Sequence, residues 1–259
     1  MSEADVVVGF DVGNSWIKGA VRRGREWEPL LSVPTTPLDG VGARLRESLR
    51  GADPVLGRSV LCVVSSVCPP VNGALVESWK SAGGRAPVQF FGPDLPIPLP
   101  TIVREPSSVG ADRLLCALGA RELAGPPCIV VGVGTAITVD LVDREGRFAG
   151  GAIAPGLRLA VRVLHEGTAC LPLVSPGLPK RVAGLDTVEA IRSGVYRFCR
   201  GGVHTLIELL SREEGAAEVP VVVTGGDAEL LLPLRVDAPV RHVPDLIFVG
   251  MTAALSQQP

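Results

Sequence analysis

Tyrosine occurs once in this chain and histidine three times, and all aromatic residues together make up only 4% of it. An aromatic-studded basic face of the kind that stacks single-stranded nucleic acid cannot be built from that supply. With 25 lysines and arginines against 27 acids, there is also no surplus of positive charge to hold a phosphate backbone. Nucleic acid is therefore not an expected partner. The six cysteines (62, 68, 116, 128, 170, 199) contain no CxxC pair, and His165, His204 and His242 show neither ligand spacing nor a nearby acid pattern that marks a triad. This excludes a metal cluster and a disulfide framework and leaves reduced, mostly buried thiols in a cytoplasmic protein. No basic segment precedes the first apolar run, and Asp11 interrupts it, so neither a signal peptide nor a membrane span is expected. A chain of 259 residues can bury a sizeable core without cross-links, as one large domain or two small ones.

The most informative stretch is CIVVGVGTAITVDLVDREGRFAGGAIAPG, from Cys128 to Gly156. An apolar strand over residues 128–131 ends in Gly132-Val133-Gly134-Thr135. Alternation after that turn puts Thr135, Ile137 and Val139 on one side of a second strand and Ala136, Thr138 and Asp140 on the other. Glycines at such a bend let backbone N–H groups approach phosphate oxygen, and the threonine hydroxyl adds a donor; an ordinary hairpin would use the same glycines only for positive φ. The device occurs twice. Residues 6–10 run into Asp11-Val12-Gly13-Asn14-Ser15 and alternate again through residues 16–21. Overlaying the two places Gly13 on Gly134, Asn14 on Thr135, Ser15 on Ala136 and Asp11 on Gly132.

Between and beyond the hairpins, strands are predicted over 29–33, 60–64, 88–91 and 219–223, and helices over 43–50, 71–82, 114–124, 157–165, 188–210, 228–232 and 245–255. Strands separated by helices imply a mostly parallel α/β sheet. Residues 92–106 carry five prolines and read as an extended connector, and residues 256–259 as a frayed end. Asp112 falls in the first turn or at the cap of the helix that follows Gly110-Ala111; capping and catalysis both want an acid there. Arg113 is either a solvated charge or an anion ligand at a helix start. Asp186 or Thr187 caps a long helix, and Thr224-Gly225-Gly226-Asp227 forms a strand-to-helix turn where a base and ribose could rest. Trp27 and Trp79 read as packing residues; Trp16 adjoins the first phosphate turn.

In this order and spacing, DVGNSWIK, VGADR, GVGTAITVD, GGAIAPG, LDTVEAIRSG and VTGGDAELL resemble the type III pantothenate kinases over nearly the whole chain. The resemblance implies an α/β fold of duplicated ribonuclease-H-like (actin/sugar-kinase-like) domains with a cleft between them. Residues 1–118 would carry the first hairpin and the GADR segment, and residues 119–259 the second hairpin, the TGGD turn and the dimer helices. It implies a cytoplasmic homodimer that phosphorylates pantothenate with ATP and Mg²⁺ as the first step of coenzyme A biosynthesis. Carried over by position, Asp11, Val12, Gly13, Asn14, Ser15, Trp16, Ile17 and Lys18 hold ATP phosphates, with Asp11 placing Mg²⁺, and Thr135 also meets ATP. Gly110, Ala111, Asp112 and Arg113 bind pantothenate, Asp112 is the general base, and Thr187 contacts substrate across the dimer. An acid at a helix start is expected to keep a low pKa.

One position departs from the pattern. Where the family has the aspartate that binds a monovalent cation, K⁺ or NH₄⁺, this chain has Gly132, so that site is expected to be weak or absent. Asp140 is predicted to point away from Thr135 and hence not to replace the lost charge. A working kinase with an altered cation site, an inactive homologue that binds ligand or regulates, and a kinase for another small alcohol all remain open at this point.

Overall fold

The computed structural model describes residues 6–24, 26–50, 56–57, 59–216 and 218–258. The chain divides into two compact units. One comprises Met1–Pro98, Ser107–Gly119 and Ile247–Pro259, and the other Leu99–Pro106 and Ala120–Leu246. The C-terminal segment thus clusters with the first unit, although it follows the second in sequence.

The first unit is built on strands β1 (Val6–Val12), β2 (Trp16–Arg23), β3 (Glu26–Pro34), β4 (Ser59–Ser66) and β5 (Val88–Phe90), in the order β3-β2-β1-β4-β5. β1, β2 and β3 form an antiparallel meander, and β4 and β5 add in parallel beside β1. Strand alternation sends Val8, Phe10, Val12, Cys62 and Val64 to one face, where helices α1 (Val41–Leu49) and α2 (Pro69–Ser81) bury Leu45, Leu49, Leu75 and Trp79 against them. The two prolines that open α2 occupy positions where no N–H is needed. On the opposite face a Cβ at Gly9 would lie 2.8 Å from Trp27 and 3.2 Å from the Met251 sulfur, so glycine is what lets both side chains pack onto the sheet. Trp27 is fixed there by its indole N–H to Thr252 Oγ1 (2.8 Å) and by the Phe248 ring, 5.0 Å away centroid to centroid. Helices α3 (Ala111–Ala124) and α7 (Leu246–Ser256) each begin in one unit and end in the other.

The second unit repeats the plan. Its strands are β6 (Cys128–Val133), β7 (Ala136–Val142), β8 (Phe148–Pro155), β9 (Val221–Thr224) and β10 (Val240–His242), ordered β10-β9-β6-β7-β8. The pairing senses are the same: β6, β7 and β8 antiparallel in turn, then β9 and β10 parallel beside β6. Ile129, Val131, Ile137, Val139 and Val223 meet helices α4 (Leu157–Glu166) and α5 (Thr187–Glu213) in the second core. Short α6 (Ala228–Leu231) follows β9. α5 starts with a reciprocal cap: Asp186 accepts the Glu189 N–H at 2.8 Å, and the Glu189 side chain accepts the Leu185 N–H at 3.0 Å. Of the two residues predicted to cap it, Asp186 is the one that does.

Candidate active site

In the first unit the hairpin between β1 and β2 turns through Gly13-Asn14-Ser15, closed by Gly13 N–H to Trp16 O at 3.0 Å. Thr35, fully buried, braces it from beneath: its hydroxyl donates to Gly13 O (2.8 Å) and its N–H to Ser15 O (2.9 Å). Nothing local in the sequence marks Thr35, because the contact spans 22 residues. Val12 and Ile17 point into the core, leaving only their backbone to a ligand, whereas Asn14 and Trp16 are exposed. Among the described residues, Gly13, Gly132 and Gly134 are absent from the glycines with positive φ. These turn glycines are not there for backbone conformation. A Cβ at Gly134 would find nothing nearer than Ala136 O at 3.9 Å, so the lack of a side chain leaves open space above the turn, as close approach of a ligand requires.

Asp11 sits on β1 opposite Lys18. Burial, then the charge of Asp112, then in opposition Lys18, take its pKa from the ordinary 3.8 up to about 7. Asp112 lies in the first turn of α3, with its Oδ1 accepting the Arg113 N–H at 2.8 Å. A Cβ at Gly110 would stand 2.4 Å from that oxygen, so glycine is required for the carboxylate to fold back over the helix start. The low pKa expected of a helix-start acid does not hold. Burial raises it, outweighing the Arg113 N–H bond and the Arg113 charge, because this first turn is only partly solvated. The structure thus brings the first glycine hairpin and the GADR segment close enough for the charge of Asp112 to act on Asp11.

In the second unit three glycine segments converge on the end of β6. Gly134 N–H closes the hairpin on Ala136 O, 3.0 Å away. Gly156 donates to Thr135 O at 3.0 Å, and a Cβ on it would lie 2.0 Å from Gly134 O. Gly225, at φ +104°, would bring a Cβ within 2.2 Å of Val133 O, to which Asp227 N–H donates at 3.1 Å. Arg158, in the first turn of α4, is clamped by the buried Asp227 through Nε at 3.0 and 3.1 Å and Nη2 at 3.0 Å, while most of its side chain stays exposed. Neither partner is marked as paired by the sequence, in which they lie 69 residues apart. Thr135 is exposed at the tip, and Thr187 is exposed at the start of α5.

Two details of the overlay change. The second turn is one residue shorter, since Val12 pairs with Ile17 but Val133 with Ile137; Trp16, not Ser15, therefore corresponds to Ala136. Thr135 consequently belongs to the turn and not to a face of β7. The relevant face is that of Gly132, which pairs with Thr138, and Val130, which pairs with Asp140. Asp140 thus shares the face of Gly132, two residues along the strand, where it is buried against Gly151. Among the described residues no group of three or more His, Cys, Asp or Glu is placed to hold a metal ion unaided, and no helix is long and apolar enough to cross a membrane.

Two five-stranded sheets of identical order and sense, each with a glycine hairpin between its first two strands, define a duplicated ribonuclease-H-like protein of the actin and sugar-kinase class. A Baf-family protein from Campylobacter jejuni shares this fold, with a TM-score of 0.58 at 17% identity over 96% of this chain and 98% of that one. Sequence comparison goes further. The profile of the type III pantothenate kinases matches residues 7–209. The type III pantothenate kinase of Rhodospirillum rubrum is 43% identical over 212 residues, 82% of this chain and 81% of the relative. That of Akkermansia muciniphila is 39% identical over 225 residues, 86% of each. The chain belongs to the type III pantothenate kinase family.

Proposed function

We propose that this protein transfers the terminal phosphoryl group of ATP to the 4′-hydroxyl of pantothenate, giving 4′-phosphopantothenate for coenzyme A synthesis. Family membership supports the reaction, and the observation that carries the chemistry is the pair of half-buried carboxylates, Asp11 beside a glycine hairpin and Asp112 at a helix start, whose charges act on each other. Backbone N–H groups of each hairpin, with Lys18 in the first unit and Thr135 in the second, suit phosphate oxygens. Asp11 suits Mg²⁺: its ionised form is destabilised by burial and by Asp112, and a divalent cation, when bound, would neutralise it together with phosphate charge.

Asp112 is the group that takes the alcohol proton. The bond from the γ-phosphorus to the bridging oxygen of ADP breaks, one to the alcohol oxygen forms, and the alcohol proton ends on the Asp112 carboxylate. A pKa raised by burial makes that carboxylate a better acceptor than an exposed one. Gly110 and Ala111 give backbone to the substrate, and Arg113 its charge to the pantothenate carboxylate.

We also assign the protein to the cytoplasm, as six free thiols favour, and to a homodimer. Phe198 is 85% exposed on α5, and Ile153 and Leu185 are exposed in the same unit. So much apolar surface suits a second copy, through which Thr187 would reach substrate.

ADP release by the purified protein, measured with and without pantothenate, tests the proposal. Release that rises several-fold on adding pantothenate supports it. The alternative raised by Gly132, a relative that binds without turnover, would show Mg-ATP binding and no pantothenate-dependent release. A kinase for another alcohol would respond to that alcohol instead.

A further inference from the structure

β4 ends in two serines with different fates. The Ser66 hydroxyl donates to Asn72 Oδ1 at 2.6 Å and accepts the Cys68 N–H at 3.3 Å, so it is part of the turn into α2. Ser65 is fully buried, and among the described residues its hydroxyl has no hydrogen-bond partner. Folding gains nothing from such a group: alanine would fill the position without stranding a donor, and buried polar atoms left alone call for an explanation outside the fold.

Strand geometry says where the hydroxyl points. Cys62 and Val64 share a core with Phe10 and Val12, and the parallel register sets Phe10 beside Val64 and Asp11 beside Ser65. Ser65 and Asp11 therefore leave the other face of the sheet side by side, on strands about 5 Å apart. Asp112 approaches on that side. Its charge acts on Asp11, and Gly110, beside it, packs onto Val67, two residues beyond Ser65, where a Cβ would lie 3.2 Å from Val67 Cγ1. The stranded hydroxyl lies on the sheet face that carries Asp11 and bonds to neither acid.

We infer that Ser65 is a positioning residue of this site, its hydroxyl donating to a water of the Mg²⁺ shell that Asp11 holds when the metal nucleotide is bound. A neutral donor serves there where a third carboxylate would repel the first two. The inference rests on the kinase reading only as far as metal-nucleotide binding at Asp11, not on the identity of the alcohol.

The test compares the full-length protein with its Ser65→Ala variant, and with Ser65→Gly should alanine not fold. Unliganded, the alanine variant is expected to melt at the same temperature or roughly 2–4 °C higher, having lost a stranded polar group. Calorimetric titration is expected to show Mg-ADP binding about tenfold more weakly, with ADP in EDTA unchanged, and turnover to fall while the KM for pantothenate holds. A variant that melts lower would show the hydroxyl to be bonded within the fold and overturn the inference. Equal loss in both titrations would place it on a phosphate oxygen, and no loss in either would leave it no role; each outcome also overturns it. Were the unmodified protein to bind no Mg-ADP, the kinase reading would fall as well. If it binds Mg-ADP but ignores pantothenate, only the choice of alcohol fails.

Discussion

Replacing Asp11 with asparagine should stabilise the unliganded protein, increasingly so as pH rises. In the unfolded chain this carboxyl loses its proton near 3.8; in the folded protein it holds on until about 7. Between those values the folded state keeps a proton that the unfolded state has released, so stability present in acid declines as pH climbs from 3.8 to 7 and stays reduced above. At about 1.4 kcal/mol per pH unit the full loss is about 4 kcal/mol. Asparagine has nearly the same shape and cannot ionise, so it escapes that loss. Urea denaturation in EDTA without nucleotide should find the variant more stable by about 1 kcal/mol near pH 4.5 and by about 4 kcal/mol near pH 8. Mg-ADP should then reverse the ranking, stabilising the parent far more than the variant. A difference that does not change between the two pH values, or a variant less stable at pH 8, would mean that Asp11 is neutralised by a donor and is not a desolvated charge, and the case for its place in metal binding would go with it.

Asp112→Asn should keep the fold, since its amide oxygen can still accept the Arg113 N–H, and should lower kcat by about 10² or more; an unfolded variant with normal turnover per folded molecule would reduce Asp112 to a cap. Phe198→Glu, on the exposed face of α5, should shift the protein toward monomer in sedimentation, with loss of pantothenate turnover if Thr187 acts across the dimer; an unchanged assembly would locate the interface elsewhere. Turnover at fixed ionic strength should depend little on K⁺ or NH₄⁺, with a large inert cation as control; steep, saturable activation by K⁺ would show that Gly132 does not abolish the cation site.

Much of the fold is legible because it is written locally. The runs 128–131 and 60–64 are apolar enough to be buried strands, the two hairpins declare themselves by glycine after an apolar run, and the prolines before α2 mark its start. β8 is harder to see: Gly150 and Gly151 interrupt its alternation, and at Gly151 a side chain would collide with Val139 O and the Asp140 carboxylate. β10 is three exposed residues with no pattern of their own, held by pairing to β9. In the site, the residues that carry a motif are recoverable, while Thr35, Ser65 and the Arg158–Asp227 pair are not, because each gains its meaning from a partner far along the chain. The pKa of Asp112 fails for the same reason: its helix position is local, but its burial depends on what packs over it.

The duplicated plan makes the two hairpins a controlled comparison. At matching places β1 pairs Asp11 with Lys18, and β6 pairs Gly132 with Thr138. The first carries both signs of charge; the second carries neither. Backbone N–H groups bind phosphate without any side chain, so a glycine at 132 leaves the phosphate-holding part of the second hairpin intact while removing the charge a monovalent ion would need. Restoring the acid is not a free exchange, since a Cβ at 132 would stand 2.7 Å from Thr138 Oγ1, and that hydroxyl must rotate away before an aspartate can fit. Asp140 shares the face but is buried against Gly151, two residues further from the turn, so its charge is not where the missing one would be. On the proposed reading the acid and metal chemistry lies in the first unit, and the second contributes its glycine turns, Thr135 and Arg158. On the proposed reading, such a catalyst can lose its response to K⁺ and still transfer phosphate, because the groups assigned to neutralise and deprotonate, Asp11 and Asp112, are untouched by the change at 132.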